Sequence, residues 1–531
     1  MNALYYGDNL AVLRESIKDE TVDLIYLDPP FNSSANYNVL FKAPSGEGSQ
    51  AQIEAFEDTW HWNEHAELAF DEVMHSGNTE AANMLKAMRS FLGENDMMAY
   101  LAMMAVRLIE LHRVLKQTGS IYLHCDPTAS HYLKILLDSI FGPTQFRNEI
   151  IWQRTSSHND PKRYGRIHDA ILYYSRSDKP IWNQIFEKPD ADFFDAHDFE
   201  IDDSGYKFRK RDLTAPYHGG PSGQYKWKDK LPPKGRMWSF TFDNMINLEK
   251  EGRIVYTKTG MPRLKILVED LRGLPLQDVW SKPDLWLNAA AQERLGYPTQ
   301  KPLALLERII SASSSEGDLI LDPFCGCGTA THAAEKLKRQ WIGIDITHLA
   351  IGLIERRLKD AFPGIKFEVH GTPKDFAGAE NLALRDKYQF QWWAVTLINA
   401  VPYGGKKKGA DGGIDGYYYC KPDGKKTEGG IVSVKGGDNL HVTMVRELHS
   451  VMESQKSPLG VLITLREPTG PMVKEAASAG FFQTAFGQFP RIQIATVEQL
   501  LEGKLPKLPP QEKGGGYKQA PQENPAQNKL L

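Results

Sequence analysis

The sequence predicts an α/β protein whose main domain rests on a largely parallel sheet, interrupted by an inserted region and followed by a smaller α/β domain. Three observations carry this. Residues 3–28 read as β-α-β, strand and helix alternate again up to Ile140 and from Pro302 to Asp345, and the rhythm lapses between Arg154 and Ala291 and changes after Tyr388.

Residues 3–8 and 22–28 are short apolar runs ending in acids, the pattern of buried strands, with a helical period from Asn9 to Ile17 between them. Met84 to Leu115 carries a helical period, Gly119–His124 a strand and Ala129–Ile140 a helix. After the irregular stretch come a helix at Pro302–Ala312 and strands at Leu319–Asp322 and Trp341–Asp345. The later domain reads as a helix through Phe390–Asn399, a Gly/Lys-rich loop at Gly404–Gly413, strands at Gly416–Cys420 and Ile431–Lys435, and a helix at Thr443–Gln455. Pro506–Leu531 lacks the apolar residues that would offset ordering entropy, so a flexible or loosely docked tail is expected.

The chain has 531 residues, enough for two to four domains of about 150 residues each. With 41% hydrophobic and 24% charged residues, and no apolar run near the roughly 20 residues of a membrane span, a membrane enzyme is excluded from the reading. Met1–Tyr6 has neither a basic start nor an apolar signal core, so a cytoplasmic location is expected. Cys125, Cys325, Cys327 and Cys420 are too few and too scattered for a disulfide framework or a zinc knuckle. The net charge of −4 confines any nucleic-acid contact to a local patch.

Leu319–Asp322 runs into Pro323-Phe324-Cys325-Gly326-Cys327-Gly328-Thr329, a tight glycine turn that lets a ligand touch backbone. The following strand ends on Asp345, about 20 residues on, where a carboxylate can accept ribose hydroxyls. Alone, these features also fit a nicotinamide dehydrogenase.

Val22–Leu27 delivers Asp28-Pro29-Pro30-Phe31 to a strand's carboxyl end, where open α/β sheets place their chemistry. The prolines remove two N–H donors, leaving a carboxylate, free carbonyl acceptors and an aromatic ring. That set suits an aryl amine. Two accepted N–H bonds, at Asp28 and the Pro29 carbonyl, allow the nitrogen to pyramidalise and aim its lone pair at a methylsulfonium carbon, while Phe31 stacks on a base turned out of the duplex.

Asp28-Pro29-Pro30-Phe31 resembles the catalytic motif of amino-methyltransferases, and Asp322–Thr329 resembles their cofactor motif. Their order is that of the β class, which excludes the dehydrogenase because its glycine turn should open a domain. The resemblance covers roughly residues 1–370. It implies a Rossmann-like S-adenosylmethionine-dependent fold that begins at the sheet's third strand and returns to the first two after Pro302. It also implies that Asp8 and Asn9, in Gly7-Asp8-Asn9, face the adenine of S-adenosylmethionine, and that Lys301 and Pro302, in Thr299-Gln300-Lys301-Pro302, precede the cofactor strand. With them, Asp322, Phe324, Gly326, Gly328, Thr329 and Asp345 form the expected cofactor set, and Cys327 departs from the family's usual Ser.

Between Asp203 and Lys265 stand fourteen Lys/Arg against six Asp/Glu, interleaved with aromatic residues. In the β class this interval holds the target-recognition region, making Lys207, Arg209, Lys210, Arg211, Lys226 and Lys228 expected contacts to double-stranded DNA.

Gly409–Gly416 with Ile431–Lys435 resembles the core of Mrr-like PD-(D/E)xK restriction endonucleases. That likeness implies magnesium at Asp415, water oriented by Lys435, and assistance from Asp411; Ser433 stands where the family has Glu or Gln, which weakens the metal site. Expected boundaries are 1–150 (catalytic half), 151–295 (recognition), 296–375 (cofactor half), 385–505 (endonuclease-like) and 506–531 (flexible tail). The implied function is site-specific methylation of an exocyclic amino group, adenine N6 favoured because Asp opens the motif. The setting is a restriction–modification system, in which a homodimer and a separate restriction subunit are further partners.

Overall fold

The computed structural model describes residues 2–30, 61–157, 160–187, 194, 198–219, 223–271, 273–287, 291–297, 299–403, 413–511 and 519–523, and the backbone of the strands Asn36–Lys42 and Gly48–Glu57. It divides into one unit of Met1–Asn183 with Asp278–Leu531 and a second of Gln184–Gln277.

The first unit holds a nine-stranded sheet, ordered 279–280, 146–153, 168–175, 115–125, 22–27, 319–322, 340–345, 3–6, 368–370. Counting Leu319–Asp322 as first and Gln340–Asp345 as second, the N-terminal strand Ala3–Tyr6 stands third, paired in parallel with its neighbour. Val22–Leu27 is flanked by Leu319–Asp322 and Leu115–Cys125, both parallel to it. All six of its residues are buried, so it reads as a continuous apolar run. The expected parallel order breaks at His168–Ser175, which lies antiparallel to Leu115–Cys125 and to Phe146–Gln153 because a hairpin joins it to the latter.

The helical period from Met84 divides into two helices, Thr79–Leu92 and Asp96–Val114. Gly93 at φ 72° stops the first, and the Asn95 side chain accepts the Met98 N–H at 2.9 Å to start the second. A preceding helix, Glu64–His75, capped by Asn63, was not predicted. Asp96–Val114 is buried over most of its surface and sits at the centre of the largest apolar core.

The expected recognition boundaries at 151 and 295 are corrected. Residues 151–183 and 278–295 belong to the sheet-bearing unit, because Phe146–Gln153, His168–Ser175 and Val279–Trp280 are its edge strands. The Gln184–Gln277 unit carries a four-stranded sheet ordered 254–256, 262–267, 207–212, 199–201, with a small core of Leu213, Trp227, Trp238, Met245 and Ile254.

Residues 401–402, 416–420, 428–435, 460–464 and 492–496 form a separate five-stranded sheet, preceded by the helix Lys387–Thr396 rather than 390–399. This module has its own core around Phe390, Trp393, Val432 and Ile463. It also packs on the cofactor half: Trp392, Val401 and Tyr419 share a buried apolar cluster with Leu295, Tyr297, Cys327, Leu349 and Leu353. The tail is docked where it is described. Ala520 joins that cluster, Glu523 pairs with His332 (2.9 Å) and Lys336 (3.4 Å), and the Pro509 carbonyl accepts the Tyr418 hydroxyl. Specific polar anchors, with Leu508 and Ala520 packed on neighbouring cores, dock the tail where it is described. Among the described residues no helix is long and apolar enough to cross a membrane.

Candidate functional site

A cavity of about 180 Å³ opens at the carboxyl ends of the strands 319–322, 340–345, 3–6 and 22–27. Among the cavity-lining residues are Asp8, Asn9, Asp28, Pro30, Lys301, Asp322, Phe324, Gly326, Thr329 and Asp345. Most of the cofactor residues expected from sequence thus converge on one space. Pro29 is buried behind it. Pro302 caps the helix Leu303–Ser313, and Gly328 caps Thr329–Lys336 from the left-handed region at φ 75°.

The glycine turn is held from three sides. Gly326 N–H donates to Asp345 Oδ2 at 3.0 Å, Cys325 N–H to the Ile344 carbonyl at 3.0 Å, and Gly328 N–H to the Cys325 carbonyl at 2.7 Å. From behind, buried Arg357 donates to the Cys327 carbonyl and to Thr329 Oγ1, each at 3.1 Å, and its Nε meets His332 at 3.1 Å. Sequence reasoning missed Arg357, because a buried arginine in an otherwise amphipathic helix leaves no periodic signal. Gly326 sits at φ 49°, and a Cβ there would lie 3.3 Å from the Tyr297 ring. Gly326→Val is therefore expected to distort the turn and abolish cofactor binding, measured by calorimetry; wild-type affinity would remove the turn from the site.

Asn9 is a strut more than a wall. Its amide donates to the Pro323 carbonyl at 2.8 Å while its oxygen accepts from Arg107 at 2.7 Å. Arg107 also pairs with Asp8 at 3.0 Å, and Asp8 caps the helix Asn9–Ser16. Arg107 was likewise absent from the expected set; nearly all its neighbours in helix Asp96–Val114 are apolar, so nothing marked it out.

Burial pushes the Asp322 carboxyl up to about 8, with the neighbouring charges of Asp28 and Asp345 adding to it. Burial raises Asp345 to about 6, against the hydrogen bonds from Thr347 and Gly326 that favour its ionised form. Both folded values exceed an ordinary aspartate near 3.9. The associated stability is therefore fully present below about pH 4 and lost as pH rises through about 6 and then about 8. The urea midpoint of the ligand-free protein is expected to fall between pH 5 and 8.5, and Asp322→Asn to flatten the upper part. A rising midpoint would contradict the buried, protonated carboxyls.

At the mouth, Lys301 Nζ binds Asp28 Oδ2 and donates to the Thr299 carbonyl at 3.3 Å. Asp28 Oδ1 is buried and has no hydrogen-bond partner among the described residues. Phe31, the expected stacking ring, lies outside the described residues.

In the second unit Lys207, Arg209 and Arg211 project from one face of the strand Lys207–Asp212, by the alternation of strand side chains. The other expected contacts are partly engaged: Lys210 pairs with Glu200 at 2.6 Å, Lys226 with Asp229 at 3.0 Å, and Lys228 with Glu249. Lys207 lies 4.4 Å over the Phe194 ring.

In the C-terminal module Asp415 immediately precedes the strand Gly416–Cys420, and Lys435 ends the neighbouring strand Glu428–Lys435. Asp415 Oδ2 accepts the Val434 N–H at 2.7 Å and the Ser433 hydroxyl at 3.3 Å. Ser433 thus satisfies the carboxylate where a Glu or Gln would add a ligand. Gln389, on the helix Lys387–Thr396, accepts the His348 N–H at 3.0 Å at the contact with the cofactor half. Asp411 and Lys406–Lys408 lie outside the described residues. Among the described residues no group of three His, Cys, Asp or Glu could hold a metal ion.

Sheet order, glycine turn and Asp-Pro-Pro mouth together define a methyltransferase of the Rossmann-like type. The DNA methylase family that methylates N6 or N4 amino groups matches residues 22–356, and the chain belongs to it. A restriction endonuclease family of the Mrr type matches residues 385–493. The type II methyltransferase M.EcaI of Enterobacter cloacae is 34% identical over 362 residues, 67% of this chain and 69% of that protein. M.HpaI of Haemophilus parainfluenzae, also a type II methyltransferase, is 42% identical over 350 residues, 66% and 72% of the two chains. A DNA modification methylase of Thermus thermophilus, solved with S-adenosyl-L-methionine, aligns at 16% identity and TM-score 0.34, over 70% of this chain and all of that one.

Proposed function

We propose that the chain methylates adenine N6 at a specific site in double-stranded DNA, as the modification activity of a restriction–modification system, with Asp28 and the Pro29 carbonyl as acceptors for the amino group. The observation that supports this most is the buried Asp28 Oδ1, without a hydrogen-bond partner among the described residues, beside a cavity walled by the glycine turn and Asp345. S-adenosylmethionine, when bound, supplies an electrophilic methyl group. Asp345 offers acceptor capacity for its ribose, the turn admits it against backbone, and Lys301 fixes the Asp28 carboxylate. Orientation of amine and methyl group is worth about 7–11 kcal/mol of barrier, and no covalent enzyme nucleophile is needed. Mass spectrometry of nucleosides from DNA treated with the protein and labelled cofactor tests the reading: labelled N6-methyladenosine supports it, and N4-methylcytosine would transfer the same chemistry to cytosine. Asp345→Ala is expected to weaken cofactor binding by about 1–3 kcal/mol, the cost of removing a charged acceptor.

The C-terminal module favours DNA binding over efficient cleavage, because Ser433 closes on Asp415. Any cleavage is expected only at millimolar magnesium or manganese and to disappear in Asp415→Ala and Lys435→Ala while methylation persists. Equal cleavage by wild type and Asp415→Ala would remove Asp415 from such a site.

A further inference from the structure

Behind Asp28 lies a buried polar group that the methyl-transfer scheme does not use. His124, wholly buried on the strand Leu115–Cys125, places Nε2 3.1 Å from Asp169 Oδ2 and Nδ1 3.0 Å from the Tyr26 hydroxyl. The same Nδ1 lies 3.9 Å from Asp28 Oδ1, the oxygen without a partner among the described residues. Asp169 comes from the antiparallel strand His168–Ser175, so three adjacent strands, 22–27, 115–125 and 168–175, bring Tyr26, Asp28, His124 and Asp169 into one line. The Trp152 ring closes the group edge-on at 5.4 Å, and Arg154 faces Asp169 at 3.4 Å.

The hydrogen bonds fix the tautomer. Burial works to raise the Asp169 carboxyl, but the His124 hydrogen bond and the charges of His124, Arg154 and Lys301 hold it below the usual carboxylate range. Asp169 is therefore an acceptor, His124 Nε2 carries the proton, and Nδ1 presents its lone pair toward Tyr26 and Asp28.

We propose that His124 and Asp169 hold the proton that the base loses on methylation, acting through Asp28 as positioning residues. The inference rests on the transfer reading above. The nitrogen–methyl bond forms as the sulfur–methyl bond breaks, with that electron pair staying on sulfur. As that bond forms, the nitrogen gives its proton to Asp28 Oδ1 and keeps the N–H electron pair. Asp28 passes the proton to His124 Nδ1, and the imidazolium so formed is balanced by Asp169. Lys301 stays on Asp28 Oδ2 throughout. Return of the proton to solvent resets the pair.

Among the described charged and titratable groups facing His124 are Tyr26 and, just beyond its strand, Asp28, then Asp169 on another strand, with Arg154 and Lys301 beyond the two carboxylates. Only a free Nδ1 lone pair can take the proton, so the single-turnover methylation rate is expected to rise with pH across the acid range. Asp169→Asn removes the balancing anion. It is expected to lower the rate about 100-fold, within the range of general acid–base effects, and to move the acid limb to lower pH, with S-adenosylmethionine affinity within about twofold of wild type. Asp169→Glu is expected to restore part of the rate. A wild-type rate flat across the acid range, or an unmoved limb with an unchanged rate in Asp169→Asn, would overturn the proposal. If the variant fails to bind cofactor, the wild-type profile alone decides: an ascending limb supports the pair and a flat one refutes it. Absence of any methylation by wild type at neutral pH would instead fell the transfer reading and, with it, this one.

Discussion

Asp28→Asn is expected to reduce methyl transfer by about 1000-fold or more while the protein stays folded and still binds S-adenosylmethionine. The change keeps the size of the side chain and removes its charge at the point where the amine is held. An amide offers one acceptor oxygen in place of two and presents N–H groups to a substrate that is itself a donor. A second consequence follows from the pair with Lys301, whose ammonium is largely buried and would lose its counter-charge. The unpaired ammonium repels the methylsulfonium cation but not the uncharged thioether of S-adenosylhomocysteine. Affinity for the donor is thus expected to fall by about tenfold while affinity for the demethylated product holds. Calorimetry with both ligands, beside a transfer assay, separates the two effects. Substantial residual activity would remove Asp28 from the transfer step, and equal weakening of both ligands would mean general damage to the pocket.

Much of this site was legible because its residues occupy strand ends and tight turns. Asp28, Asp322 and Asp345 each close a run of apolar residues, and a carboxylate at the carboxyl end of a parallel strand announces itself by contrast with what precedes it. Gly326 and Gly328 both take positive φ, the conformation that explains glycine there. The third-strand start of the chain followed from motif order alone. The residues that escaped notice act from behind. Arg107, His124 and Asp169 lie in stretches buried almost throughout and Arg357 in an amphipathic helix, and only three-dimensional pairing reveals them. His168-Asp169 opens a strand, but nothing local says that Asp169 meets a histidine 45 residues earlier. The recognition boundaries were drawn too wide for a related reason. Edge strands such as Phe146–Gln153 carry mixed polarity, and in sequence they resemble the short strands of an insertion.

The largest departure concerns the C-terminal module, which the change of sequence texture marks as separate and the packing does not. Trp392, on the helix Lys387–Thr396, is 3% exposed and lies in a cluster with Leu349 and Leu353 of the helix His348–Ala361 and with Tyr297 and Cys327 of the cofactor cavity. Tyr297 is also the side chain that closes over Gly326. Gln389, one turn before Trp392, caps the first N–H of that same helix, whose His348 stacks on Tyr6 at 3.6 Å. Trp392→Ala leaves a void against both domains and is expected to cost about 3–5 kcal/mol, the range for deleting a buried tryptophan. Because Tyr297 and Cys327 line the cofactor cavity, part of that loss should appear as weaker S-adenosylmethionine binding, and by linkage the cofactor should stabilise the C-terminal module. In wild type a single thermal transition that rises with added cofactor is expected, together with slower proteolysis at sites after Arg385. In Trp392→Ala the transition should fall and split, with cofactor shifting only one part. Two transitions in wild type, only one of them responsive to cofactor, together with unchanged affinity in Trp392→Ala, would show the module to be an independent passenger on the methyltransferase.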